Sequence, residues 1–133
     1  MSHVIDTQHV LWSLIDPSRL PARSRRVLGD QNTLMQVSTV SFWEISLKYS
    51  IGKLALTGTT PEGLLRAALD SGFVLLDLGA EDVATSHVLP FVEKHRDPFH
   101  RLLVWQCIRS ELTLLTSDRA LRGYRQHGLK LAT

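Results

Sequence analysis

Three carboxylates in this chain stand where a strand hands over to a helix. Asp6 follows the apolar run His3–Val4–Ile5, and Asp118 comes just past the β-prone run Thr113–Leu114–Leu115–Thr116. Glu44 falls in the first turns of the helix after a second apolar run, Leu34 to Val37. In open parallel sheets, chemistry collects outside the carboxyl ends of the strands. With these strands as neighbours, the three acids converge on one crevice. Crowded carboxylates repel unless protons or cations intervene, and hard divalent ions are their natural companions. A Mg²⁺ or Mn²⁺ held there orients a phosphodiester, stabilises developing charge and activates a water, with or without a second ion. Each acid also has an ordinary structural use. Asp6 and Asp118 suit helix caps, Glu44 and Lys48 suit an i,i+4 pair, and Asp97 before Pro98 is read as a cap rather than a ligand.

The elements that must position these groups are legible in order. A strand over His3–Ile5 leads into a helix from Gln8 to Leu14, and Asp16–Pro17–Ser18 makes a turn. A basic helix runs from Pro21 to Leu28, closed by Gly29. After the strand Leu34–Val37, Ser38 or Thr39 caps a helix over Val40–Tyr49, which Gly52 ends. A loop from Leu54 reaches Pro61, where an amphipathic helix continues to Leu69. Phe73–Leu76 forms a third strand and Glu81–Leu89 a helix, with Pro90 beyond it. Asp97–Pro98 opens a strongly apolar helix through Ile108. The strand Thr113–Thr116, a helix over Arg119–Tyr124 and a final strand at Leu129–Leu131 complete the chain. Strands alternating with helices indicate a parallel sheet covered on both faces, a three-layer α/β/α sandwich in one domain over residues 1–133.

Composition narrows the setting. The 133 residues are 44% hydrophobic and 21% charged, ordinary for a globular protein, and 15 Lys and Arg against 13 Asp and Glu leave +2. That balance permits a basic rim around an acidic pocket without demanding nucleic acid. Cys107 is the one cysteine, so an internal disulfide is excluded and a buried, inert thiol in a reducing compartment is expected. With no signal-like start and no run of membrane-spanning length, a cytoplasmic location is expected. The six histidines show no zinc-type spacing, and neither a phosphate-binding glycine loop nor a nucleophile motif is present. Trp12, Trp43 and Trp105 lie in apolar helices, where packing outranks base stacking.

The segments VIDTQHVLW, VSTVSFWEISLKYSIGKLAL, HRDPFHRLLVWQ and LTLLTSDRAL, in this order, resemble the PIN-domain ribonucleases, specifically VapC-type toxins of bacterial toxin–antitoxin modules. The resemblance implies a short parallel sheet and acidic residues that chelate Mg²⁺ or Mn²⁺ to hydrolyse RNA. It makes Asp6, Glu44 and Asp118 metal ligands or catalytic groups, with Thr116 the hydroxyl residue beside the last acid. It also implies a homodimer and a cognate antitoxin that, with the toxin, represses their operon. Arg119 and Arg122, which flank Asp118, are the candidates for RNA contact. Trp43 and Tyr49, or Leu64 and Leu65, are candidates for a dimer face or antitoxin groove, with core packing the default there.

Two departures qualify this. The family usually reads DPFDR, where the second Asp is a principal ligand; this chain has His100 there. The family also usually reads DTH after the first strand, and here the order is Asp6–Thr7–Gln8, with His9 one place later. A neutral imidazole removes one negative charge and suits Mn²⁺ or Zn²⁺ better than Mg²⁺. His100 is therefore expected to weaken metal binding and catalysis while leaving the fold intact. Two other classes stay open: a catalytically weak scaffold that binds antitoxin or RNA, and a phosphotransfer receiver-like domain. The single acid after the first strand argues against the latter.

Overall fold

A computed structural model describes residues 2–132. Five parallel strands, β1 (Ser2–Ile5), β2 (Leu34–Ser38), β3 (Val74–Leu76), β4 (Thr113–Leu115) and β5 (Lys130–Leu131), form one sheet in the order β3-β2-β1-β4-β5. β1 lies between β2 and β4, with Ile5 level with both Val37 and Leu115. The Asp6 N–H donates to the Leu115 carbonyl at 3.0 Å, which carries the ladder up to the first acid.

Period-2 alternation sorts the strand side chains onto two cores. Val4 and Leu114 pack with Leu103, Val104, Leu89, Leu121 and Tyr124 on one face. Ile5, Val37 and Leu115 pack with Val10, Ile45 and Leu64 on the other. The helices are α1 (Thr7–Ile15), α2 (Ala22–Leu28), α3 (Thr39–Ser50), α4 (Pro61–Asp70), α5 (Ala80–Thr85) and α6 (Pro98–Arg109). The three-layer α/β/α architecture thus agrees with the sequence reading. Two elements differ from it. The helix expected over Glu81–Leu89 stops at Thr85 and tightens into a 3₁₀ turn, Ser86–Val88. The segment after Asp118 is 3₁₀ throughout, Arg119–His127, ended by Gly128 at φ 104. Leu64, for which core packing is the default over a dimer or antitoxin face, is 2% exposed and belongs to the core.

Gly123 shows why that last segment must come close. A Cβ there would stand 2.2 Å from Val92 Cγ1, and Val92 is itself buried with a stiff β-branched side chain. Gly123→Ala is expected to cost about 1–3 kcal/mol by overpacking, readable as a lower midpoint in urea denaturation. Cys107 offers a second check. It is 1% exposed on α6, and burial pushes its thiol up to about 12. Alkylation at pH 8 is expected to track global unfolding, with no faster native-state phase. Because the folded thiol holds its proton longer than the unfolded one, this stability is complete below pH 9.0 and is lost as pH rises toward 12. No helix among the described residues is long and apolar enough to cross a membrane.

Candidate metal centre

The strand register sets the site. Asp6 is the residue after Ile5 and caps α1, its Oδ1 accepting the His9 N–H at 2.8 Å. The same Oδ1 pairs with His9 Nδ1 at 2.9 Å, so both bonds fall on one oxygen. His9 is 1% exposed, and its Nε2 lies 2.9 Å from Ser24 Oγ and 3.2 Å from Ser117 Oγ. This buried imidazole fixes the orientation of the first acid, whereas the sequence shows only its displaced position. The i,i+3 spacing of Asp6 and His9 at a helix start was the available signal.

Glu44 sits in the second turn of α3, which the Ser38 hydroxyl caps by accepting the Val40 N–H. Its Oε2 is bound by Lys48 Nζ, so the i,i+4 pair exists. Its Oε1 has no hydrogen-bond partner among the described residues, although Glu44 is 3% exposed. A buried carboxylate oxygen left unpaired is costly, and such sites call for a cation or proton.

α6 runs back against the strands, so its first turn lies at their carboxyl ends. Asp97 caps it through Oδ1, which accepts the N–H groups of Phe99 at 2.9 Å and His100 at 3.2 Å. Asp97 Oδ2 remains free to stand 3.6 Å from His100 Nδ1. The cap assignment therefore holds, but capping occupies only half of the carboxylate. Asp118 behaves alike: Oδ1 caps the 3₁₀ segment at Ala120, and Oδ2 lies 3.8 Å from His100 Nδ1. Trp43 packs edge-on against Phe99 at 4.7 Å between centroids, which holds the turn carrying Glu44 against the turn carrying His100.

Asp6, Glu44, His100 and Asp118 together line one cavity of ≈ 440 Å³, with Lys48 and Lys53 also on its wall. This acidic cup thus carries two lysines on its wall. Thr116 is not among its lining residues. The Thr116 hydroxyl instead accepts the Asp118 N–H at 3.0 Å, shaping the turn that presents the acid, while Ser117 lines the cavity. Arg119, Arg122, Arg23 and Thr116 line an adjoining depression of ≈ 250 Å³ that shares Ser117 and Asp118 with the cup.

The tightest donor clusters centre on His100. Among the described residues, the donors of Glu44, Asp97 and His100 lie within 4.8 Å of one another, as do those of His95, His100 and Asp118. Asp6 lines the same cavity but belongs to neither group. His95 lies outside any helix or strand and carries no periodic signal in the sequence. Burial, and then the neighbouring His100, lowers its pKa, which favours the neutral ring.

No family model matches the sequence, and no curated protein does. Solved structures do. A chain in the crystal structure of VapBC2 from Rickettsia felis bound to a DNA fragment from their promoter superposes with a TM-score of 0.62 at 16% identity, covering 98% of this chain and 97% of that one. A chain in DNA-bound VapBC from Salmonella typhimurium gives 0.63 at 16% identity, covering 98% and 96%. One in VapBC-1 from nontypeable Haemophilus influenzae gives 0.61 at 15%, again over 98% and 96%. The fold is PIN-like. In this PIN-like frame the four lining residues come from four elements or their ends: the β1–α1 junction, α3, the first turn of α6 and the turn after β4. The orphaned Glu44 Oε1 and the oxygen-rich wall fit a divalent cation, with imidazole where a further carboxylate was expected.

Proposed function

We propose that this chain is a metal-dependent endoribonuclease, the toxin of a toxin–antitoxin pair, with activity lowered by His100. One observation carries the reading: a buried, unpartnered Glu44 oxygen belongs to a residue lining the same cavity as Asp6 and Asp118. Asp6, Glu44 and Asp118 would hold Mg²⁺ or Mn²⁺, with His100 in the fourth place. A bound ion supplies Lewis acidity toward a phosphoryl oxygen and a water of lowered pKa. The chain's own residues do the rest. His9 holds Asp6 in position, Lys48 holds one oxygen of Glu44, and Thr116 sets the Asp118 turn. Arg119 and Arg122 in the adjoining depression suit RNA phosphates on their way to the cup.

The VapBC neighbours, two of them solved bound to DNA, support an antitoxin as partner. Trp43, Leu47 and Tyr49 on α3, with Ile51 just beyond, are exposed apolar residues suited to a second copy or an antitoxin segment. A second reading, a binding scaffold without catalysis, is favoured by the imidazole that already stands between Asp97 and Asp118. Manganese titration of the purified chain against a mixed RNA substrate separates the two. Cleavage that rises with Mn²⁺ and stops with chelator supports the nuclease, and an intact substrate at saturating Mn²⁺ supports the scaffold.

A further inference from the structure

His95 has no part in the chemistry above, yet its surroundings are those of a metal ligand. Its Nδ1 lies 2.7 Å from the hydroxyl of Tyr124, a fully buried residue that also receives Arg101 Nη1 at 3.1 Å. Its Nε2 is buried and has no hydrogen-bond partner among the described residues. Its ring stacks on that of His100, 5.8 Å between centroids and 13° between planes. The donors of His95, His100 and Asp118 all lie within 4.8 Å of one another.

We infer that His95, His100 and Asp118 form a transition-metal site of the two-imidazole, one-carboxylate class, taking Zn²⁺ and its congeners in preference to Mg²⁺. Donors around a four-coordinate zinc stand roughly 3.3 Å apart, given metal–ligand distances near 2.0–2.1 Å. His100 Nδ1 and Asp118 Oδ2, at 3.8 Å, need only a small inward movement. Imidazole is a softer donor than carboxylate and selects borderline ions, whereas Mg²⁺ prefers oxygen and retained water. The Tyr124 hydroxyl supplies the outer contact that metal-binding histidines usually have; the tautomer in which Nδ1–H donates to it would leave the Nε2 lone pair for an ion. Two imidazoles and a carboxylate leave a fourth position open.

The inference does not require RNA cleavage. It does make an ion at this site and one in the acidic cup rivals, because both draw on Asp118 and His100.

The test is calorimetric titration of the full chain with Zn²⁺ alone, paired with visible absorption and proton NMR after loading with Co²⁺. Saturable binding of one Zn²⁺, four-coordinate Co²⁺ bands and two paramagnetically shifted imidazoles are expected. His95→Gln should weaken Zn²⁺ binding by at least ~10-fold and leave Mn²⁺ binding unchanged, since Asp6 and Glu44 remain. The inference is overturned if the folded wild type shows no saturable Zn²⁺ binding, or if fewer than two imidazoles shift. Equal Zn²⁺ affinity in His95→Gln, or a parallel fall in Zn²⁺ and Mn²⁺ affinity, overturns it too. The NMR result needs no variant, so it decides the matter even if His95→Gln misfolds. Cleavage in Mn²⁺ is scored separately and bears only on the nuclease reading.

Discussion

His100→Asp is expected to raise Mg²⁺- and Mn²⁺-dependent RNA cleavage, with metal affinity increasing by at least ~10-fold, the scale on which even groups behind the ligands act. The imidazole lies on the wall of the acidic cavity, 3.6 Å from Asp97 Oδ2 and 3.8 Å from Asp118 Oδ2. A carboxylate there adds one negative charge among groups that already repel, which the structure tolerates only with a cation between them. The metal-free variant should therefore be less stable than the wild type, and Mn²⁺ should stabilise it more. Thermal melts with and without Mn²⁺ measure this alongside initial cleavage rates. A variant with unchanged cleavage and no added metal stabilisation would remove the explanation for lowered activity.

Glu44→Gln is expected to reduce Mn²⁺ affinity and cleavage by at least ~100-fold, more than the loss of an outer-shell group. The substitution keeps shape and burial but removes the charge that a divalent ion needs. It also leaves the Lys48 ammonium without its carboxylate, although Lys48 is 39% exposed along its side chain and can turn to water. The effect on folding is consequently small, because the wild-type residue already buries an unpaired oxygen. Calorimetry with Mn²⁺ and a cleavage assay on the same preparation provide the check. Retained Mn²⁺ affinity would mean that Glu44 serves only Lys48.

The alternation of strands with helices was legible because its signals are local. Asp97–Pro98 and Ser38 at helix starts, and Val4–Ile5 and Leu114–Leu115 alternating between two cores, are written in neighbouring residues. The strand order, β3-β2-β1-β4-β5, is a long-range property that no short segment encodes. It is what brings Asp6 and Asp118, 112 positions apart in number, to adjacent strand ends.

The detail of the site was less legible for the same reason. Thr116 and Ser117 are adjacent hydroxyl residues, and only the turn after β4 decides that Ser117 lines the cavity while Thr116 supports the backbone. Asp97 read as a cap because capping is a local pattern; the second oxygen facing His100 depends on how the first turn of α6 is seated by Phe99 against Trp43. His95 lies in a loop without periodicity, and its link to Tyr124 spans 29 residues. The 3₁₀ segment Arg119–His127 passes close to Val92 at Gly123, a tertiary contact that helix propensity does not report.

The central claim is that Asp6, Glu44 and Asp118 share a divalent cation. The direct measurement is anomalous scattering from a crystal soaked in Mn²⁺. The account predicts a peak inside the ≈ 440 Å³ cavity, coordinated by oxygens of at least two of these residues. A well-ordered cavity without such a peak at saturating Mn²⁺, or manganese bound only at remote surface acids, would contradict it.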